Sequence, residues 1–159
     1  MGTLLTSDAL EWIGRQIEVN GDEITESMVQ QYVYASEDDH PAYVSDTSAE
    51  AVGTSRVVPP MLYQAATRPY VPLNKYSSDG IVIENRPVIG TGQSVGGTLA
   101  VEWVRPLKIG DRLSGLKTLV SMEEKAGSRR TFVVVTWETN YTDQKGEVVI
   151  RESYEQICF

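Results

Sequence analysis

The amino-acid sequence predicts an α+β fold in which a curved antiparallel sheet wraps around one helix. Three observations lead to this prediction. The N-terminal half carries helical patterns, the half after residue 98 carries alternating apolar and polar residues typical of strands, and no strand–helix–strand alternation typical of a parallel sheet occurs. One short apolar segment, residues 61–67, is the candidate for the helix inside the sheet.

Composition narrows the class of protein. The 159 residues, of which 41% are hydrophobic, suffice for one core, so we expect a single domain over residues 1–159. A formal net charge of -8 argues against binding to nucleic acid or to an anionic membrane surface, because both need a basic face. Cys158 is the only cysteine and suits a reducing compartment. We therefore expect a cytoplasmic protein with neither a metal site nor a membrane span.

Two helices are predicted in the first 36 residues. Ser7 or Asp8 can cap the first helix, and Gly14 ends it. The second helix begins near Thr25. Its apolar residues fall on one face at the spacing of a buried stripe, and they are Met28, Val29, Tyr32 and Val33.

The middle of the chain contains a proline pair and a long irregular segment. Pro59 and Pro60 can stand only at a helix start, because proline lacks an N–H and clashes inside a helix, so a helix is predicted over residues 61–67. A helical turn is predicted before them at residues 48–52. Residues 74–97 have no clear period and are predicted to form a long ordered loop, a kind of segment that is often functional.

About four antiparallel strands are predicted in the C-terminal half. The alternation is clearest in residues 98–104, 131–142 and 147–157, with turn signals between them. Trp103 and Trp137 fall on apolar strand faces and are predicted to lie in the core. Because a sheet of this kind has open edges that pairing of subunits would cover, we expect at least a dimer.

A series of motifs also carries a resemblance to a known family. The segments are TESMVQQYVYASEDDHPAY, the following Asp46 and Ala49, VVPPML, EWVRPLKIGDRL and EEKAGSRRTFVVVTWETNYTDQKGEVV. In this order they resemble the MaoC-like hot-dog proteins, and more closely the N-terminal, type-I fatty-acid-synthase-like dehydratase branch. The resemblance implies a hot-dog fold, with the sheet wrapped round residues 61–67 and two such units paired into a double hot dog.

The same resemblance implies reversible addition of water to 2-enoyl thioesters carried on CoA or acyl-carrier protein, with no other cofactor. This reaction needs a base that activates water, an acid that protonates Cα and a donor where the enolate oxygen gathers charge. A carboxylate and a histidine on one loop can supply the first two groups, and a helix N-terminus can supply the third.

Three catalytic candidates follow from the family motif. Its catalytic aspartate falls on Asp38, its asparagine on His40 and its catalytic histidine on Tyr43. A tyrosine is a poor base at neutral pH, because a phenol ordinarily has a pKa of about 10, but it can orient water or donate a proton. The neighbouring Glu37 and Asp39 are interpreted as solvated loop residues.

The substrate-binding candidates lie near the predicted central helix and the long loop. The glycine that opens the central helix in the family falls on Pro60, and the Met61 N–H is the nearest substitute donor. Arg105 is a candidate for a CoA phosphate or for a structural contact to a neighbouring strand. Gly92 lies in the loop expected to form a wall of the site, although the glycines there form no phosphate loop.

Three functions remain open from the sequence. The first is a hydratase or dehydratase that uses Asp38 and His40. The second is a non-catalytic partner subunit that binds the acyl or CoA portion beside a catalytic MaoC-like chain. The third is a thioesterase or acyl-thioester-binding protein on the same scaffold. Because the chain carries half of a double hot dog, we expect a homodimer or a heteromer with a catalytic MaoC-like chain.

Overall fold

The structure is a computed structural model that describes residues 3–68, 70–78, 80–82 and 86–159. The helices are α1 (Ser7–Leu10), α2 (Glu26–Ser36), α3 (Pro41–Val44), α4 (Asp46–Ala51) and α5 (Leu62–Ala66), followed by a 3-10 turn at Leu73–Lys75. The strands are β1 (Gln16–Glu23), β2 (Ser94–Trp103), β3 (Arg112–Ala126), β4 (Thr131–Thr142) and β5 (Val148–Cys158).

All five strands form one antiparallel sheet in the order β1-β3-β4-β5-β2. The register shifts within every strand pair, and such bulges bend a sheet. The α+β prediction is confirmed, since the helices precede β2 to β5 and pack on one face of this curved sheet.

Strand β1 was not among the predicted elements. Its inward apolar residues are only Ile17 and Val19, which is too short an alternation to predict a strand. Gly21 then brings β1 close to its neighbours, because a Cβ there would lie 2.8 Å from the Leu113 carbonyl oxygen and 2.9 Å from that of Ala66. The glycine therefore allows β1 to pass beneath the end of α5.

The helices of the first half follow the predicted pattern with three corrections. The helix α1 ends at Leu10 rather than at Gly14, α3 was not predicted, and the cap of α1 differs. Thr6, rather than Ser7 or Asp8, caps α1, because its Oγ1 accepts a hydrogen bond from the Ala9 N–H at 3.2 Å. Thr25 caps α2 as predicted, and Val29 is the fully buried member of the predicted stripe. Met28, Tyr32 and Val33 pack on the core at partial exposure.

The inner face of the sheet carries two hydrophobic clusters. One packs α2 and α5 onto the sheet through Val29, Leu62 and Tyr63, and the other lies under the N-terminal segment around Trp137. Between them, three polar residues stand opposite one another on adjacent strands: Lys117, Thr139 and Glu152. Residues directly opposite in an antiparallel pair share a face, so the clusters are separated by a polar row.

Strand β2 departs from the prediction in two ways. It begins at Ser94, inside the segment predicted as a loop over residues 74–97, of which residues 79 and 83–85 lie outside the described part of the chain. Trp103 is 40% exposed, so its prediction as a core residue is wrong, whereas Trp137 at 1% is confirmed. The reason is position, because β2 is an edge strand, and Leu99 on the same strand is likewise exposed.

Candidate substrate site

The loop between α2 and α3 holds the predicted catalytic residues. Glu37 ends α2 in the left-handed region, with φ 54°, and this turns the chain sharply. Pro41 then occupies the first turn of α3, where its missing N–H costs nothing. His40 takes the N-cap position, and its Nδ1 accepts a hydrogen bond from the Ala42 N–H at 3.2 Å. The loop therefore connects the end of α2 to the start of α3 through exposed acidic residues.

This cap limits what His40 can do chemically. In a neutral imidazole one nitrogen accepts a hydrogen bond and the other carries the proton. Because Nδ1 accepts the Ala42 N–H, the proton resides on Nε2. The neutral ring then has no free lone pair with which to take a proton from water.

Asp38 and His40 do not form a side-chain pair. Asp38 is exposed, and its Oδ1 accepts a hydrogen bond from the His40 backbone N–H at 3.4 Å. The ring of His40 instead faces Tyr43, with ring centroids 5.4 Å apart and planes tilted by 50°. Tyr43 is half-buried and lines a groove of about 730 Å³ beside α2, together with Glu37 and Asp39. Within the described residues, neither Asp38 nor His40 lines this groove.

A larger groove of about 1230 Å³ lies between α2, α5 and the segment after α5. Its walls are mainly apolar and aromatic, and none of its described lining residues is acidic: Tyr32, Met61, Gln64, Ala65, Arg68, Tyr70, Val71, Pro72, Leu73, Tyr76 and Gly80. Tyr70 is 90% exposed and Leu73 is 89% exposed. Apolar walls with few polar groups are typical of small-molecule sites.

Met61 is the predicted substrate-binding residue that the structure places in the large groove. It precedes α5 and packs partly against the core. The first intrahelical contact begins one residue later, with the Leu62 N–H donating to the Pro59 carbonyl at 3.0 Å. In the part of the chain that the structure describes, the Met61 N–H has no hydrogen-bond acceptor. Pro60 is exposed beside it.

Arg105 holds two turns of the sheet together. Its guanidinium donates to both carboxylate oxygens of Asp111, at 2.7 and 3.0 Å, and to Asp143 at 2.9 Å. Asp111 is 5% exposed and Asp143 6% exposed. The Arg105 guanidinium and the N–H groups of Lys145 and Glu147 lower the pKa of Asp143 below its ordinary value. These contacts are structural, and none of them is to the large groove.

Gly92 also lies away from the large groove. It adopts φ 76° in a turn before β2, where its carbonyl accepts a hydrogen bond from Arg86 at 2.7 Å. The preceding residue, Thr91, bonds to the carbonyl of the C-terminal Phe159. The turn therefore anchors the chain terminus, and the role of Gly92 in substrate binding stays a prediction.

The polar row inside the sheet was missed by sequence reasoning. Tyr63 donates a hydrogen bond to Glu152 at 2.5 Å, and burial, followed by this bond, raises the pKa of Tyr63. Burial lowers the pKa of Lys117, whose Nζ lies 4.6 Å from the ring centroid of Trp137. No local motif links these residues, because only the strand register and α5 bring them together.

Among the described residues, no group of three or more histidine, cysteine, aspartate or glutamate side chains is arranged to hold a metal ion. No described helix is long and apolar enough to span a membrane.

Comparison with known proteins identifies the family. The family model for the FAS1-like, dehydratase domain region matches residues 11–152. A UPF0336 protein of Streptomyces griseus is 28% identical over 130 residues, which cover 80% of this chain and 79% of that protein.

Solved structures share the fold. The ChsH1-ChsH2 complex from Mycobacterium tuberculosis aligns with a TM-score of 0.69 at 18% identity, over 90% of this chain and 83% of that chain. A MaoC-like dehydratase from Rhodospirillum rubrum aligns at 0.63 and 17% identity, over 92% of each chain. The HadBC (3R-hydroxyacyl-ACP dehydratase) complex from Mycobacterium tuberculosis aligns at 0.63 and 18%, over 96% of this chain and 99% of that chain. The chain therefore belongs to the FAS1-like dehydratase domain region family, and its fold is the MaoC-like hot-dog fold.

Proposed function

We propose that this chain is a non-catalytic, acyl-thioester-binding subunit of a heteromeric enoyl-thioester hydratase or 3-hydroxyacyl-thioester dehydratase. Family membership supports this class of reaction. Two of the structural neighbours are complexes of two different chains, ChsH1-ChsH2 and HadBC, and the second is described as a 3R-hydroxyacyl-ACP dehydratase. These neighbours support a pairing of this chain with a different hot-dog chain.

The main evidence for the proposal is that His40 caps α3 through its Nδ1. Hydration needs a base with a free lone pair next to the substrate. In this chain the Nδ1 lone pair of His40 is used by the Ala42 N–H, and Asp38 is bonded to the loop backbone rather than to the imidazole. Tyr43 stands where the family has its catalytic histidine. Among the described residues, the loop therefore pairs no base with an acid.

The large groove supports the binding role. Met61, Val71 and Leu73 offer apolar surface to an acyl chain, while the free Met61 N–H and Gln64 offer polar contacts to a thioester. Its volume of about 1230 Å³ exceeds the range of roughly 300–1,000 Å³ common for small-molecule pockets. We therefore expect a long or bulky acyl group rather than a four-carbon one.

Catalysis by this chain itself is the second candidate. It is favoured by Asp38, an exposed carboxylate whose hydrogen bond to the His40 N–H is a long 3.4 Å. A carboxylate of this kind can reach a substrate if another subunit covers the loop. Catalysis by this chain requires Asp38, whereas a non-catalytic binding role does not.

Reconstitution separates the two candidates. The chain is co-expressed with a MaoC-like hot-dog chain that carries a complete aspartate–histidine pair, and hydration of 2-hexenoyl-CoA is followed as loss of enoyl-thioester absorbance. We expect Asp38→Asn in this chain to leave the activity of the complex within about twofold of the parent. Replacing the aspartate of the other chain should abolish activity. A complex that is inactivated by Asp38→Asn, although it still assembles, would contradict the proposal.

A further inference from the structure

We propose that Arg68 binds the phosphate of the acyl carrier, which is the 4'-phosphate that CoA and the prosthetic group of acyl-carrier protein share. This inference rests on the proposed function, because it assumes that the large groove takes an acyl thioester. It assigns the anion-binding role to a residue that the sequence motifs do not single out, in place of Arg105.

Arg68 is positioned at the large groove by the end of α5. Its backbone N–H donates to the Ala65 carbonyl at 3.4 Å, just beyond the last helical residue, and its exposed side chain lines the groove. Position 69 is a proline, which disfavours helical geometry at the preceding residue, Arg68, so α5 does not continue through it. Arg68 therefore lies between the end of α5 and the segment that forms the opposite wall of the groove.

Arg68 is the one charged side chain among the described residues that line the large groove, and no described acidic side chain pairs with it. Arg56 pairs with Glu26 at 2.6 Å, Arg105 pairs with two buried aspartates, and Arg151 pairs with Glu102 at 3.0 Å. Across residues 3–68, 70–78, 80–82 and 86–159, Arg68 makes no ion pair and its side chain donates no hydrogen bond. In a chain with a formal net charge of -8, such a cation is available to an external anion.

The shape and charge of the groove fit a phosphorylated thioester. A guanidinium presents paired N–H donors that match phosphate oxygens. Met61 and Arg68 flank α5, roughly 10 Å apart at the rise of 1.5 Å per residue of a helix. A ligand that lies along α5 therefore meets apolar walls and the Met61 N–H at one end, and the cation at the other. No acidic side chain among the described lining residues opposes its charge.

The test measures binding of three probes by calorimetry, to the wild type and to Arg68→Gln. The probes are hexanoyl-pantetheine, hexanoyl-4'-phosphopantetheine and hexanoyl-CoA. Arg129→Gln is the matched control, because Arg129 is exposed in the β3–β4 turn and does not line the groove. We expect Arg68→Gln to weaken binding of both phosphorylated probes roughly fivefold, as for a solvent-accessible charge pair, and to leave the pantetheine probe unchanged.

Salt should reduce this difference, since an exposed charge pair is screened. A loss confined to hexanoyl-CoA would overturn recognition of the 4'-phosphate, because it would assign the contact to the nucleotide phosphates. An equal loss for all three probes, or no loss for any, would overturn the role of Arg68 while leaving groove binding intact. Failure of the wild type to bind any probe would instead overturn the proposed function, and the role of Arg68 with it.

Discussion

His40 illustrates how a single residue changes the interpretation of a motif. A lone histidine next to a motif aspartate indicates a catalytic pair in the sequence, but the structure uses its Nδ1 as the N-cap of α3. Asparagine, which the family has at this position, is itself a preferred N-cap residue. Either residue can therefore cap α3 at this position without taking part in acid–base chemistry.

Replacement of His40 separates capping from catalysis. We expect His40→Asn to leave the free energy of unfolding within about 0.5 kcal/mol of the wild type, and His40→Ala to lower it by about 1 kcal/mol, because only asparagine replaces the cap. Urea denaturation measures both values. If His40→Asn removed the hydration activity of the assembled complex while its stability stayed unchanged, the histidine would have a chemical role.

The Arg105 clamp gives a pH-dependent prediction. Arg105→Gln should lower the free energy of unfolding by about 2 kcal/mol at pH 7, because the buried carboxylate of Asp111 loses two charge-assisted hydrogen bonds. The control is Arg151→Gln, whose exposed pair with Glu102 should contribute less than about 1 kcal/mol.

Arg105 also donates a hydrogen bond to Asp143, and this part of the difference depends on pH. Its pKa is lower in the folded protein than in the unfolded chain, so the stabilisation is complete above the unfolded pKa of about 3.9 and is lost as the pH falls through the folded pKa. Denaturation curves of wild type and Arg105→Gln should therefore converge as the pH falls below about 4. A difference that is the same at pH 7 and pH 3 would show that the clamp acts without its charges.

Among the helices and strands, those whose formation depends on residues close together in the sequence were predicted from the sequence. The start and buried stripe of α2, the proline-started α5 and the strands β4 and β5 follow from side-chain periodicity and backbone chemistry within short segments. Strand β1 did not, because its alternation stops at Gly21, whose role depends on the approach of Leu113 and Ala66. Long-range contacts of this kind leave no local signal.

The site was less predictable than the fold for the same reason. The family motif directed attention to the α2–α3 loop and to Met61, but motif matching gives no hydrogen-bond partner for His40 or Arg105. The polar row of Lys117, Thr139 and Glu152 comes from the register of three strands that are separated in sequence. Arg68 belongs to no motif, and its place in the groove wall is visible only in the structure.

The exposed edge strand gives a prediction about assembly. Trp103 on β2 is 40% exposed, and a subunit paired along this edge would cover it. We expect Trp103→Glu to raise the dissociation constant of the homodimer or heteromer at least about tenfold, since buried aromatic residues dominate interfaces. The control is Leu116→Glu, which changes a residue 46% exposed on the inner strand β3. Sedimentation velocity that shows both variants equally associated would place the interface elsewhere.

For the whole molecule, the groove and the loop favour the proposal that this chain binds the substrate and a second chain catalyses the reaction. The described residues form an apolar groove of about 1230 Å³ that includes Arg68, which has no ion-pair partner among them, and they pair no base with an acid in the α2–α3 loop. Hot-dog structures that pair two different chains provide the frame for such an arrangement. The central claim is that binding belongs to this chain and catalysis to its partner.

The most direct test is turnover by the purified chain alone. Crotonyl-CoA and 2-hexenoyl-CoA are supplied to the wild type and to Asp38→Asn, and loss of enoyl-thioester absorbance is followed beside a calorimetric measurement of hexanoyl-CoA binding. We predict that the folded wild type binds the thioester and hydrates neither substrate above the level of Asp38→Asn. Hydration by the wild type that Asp38→Asn abolishes would contradict the account and make this chain the catalyst.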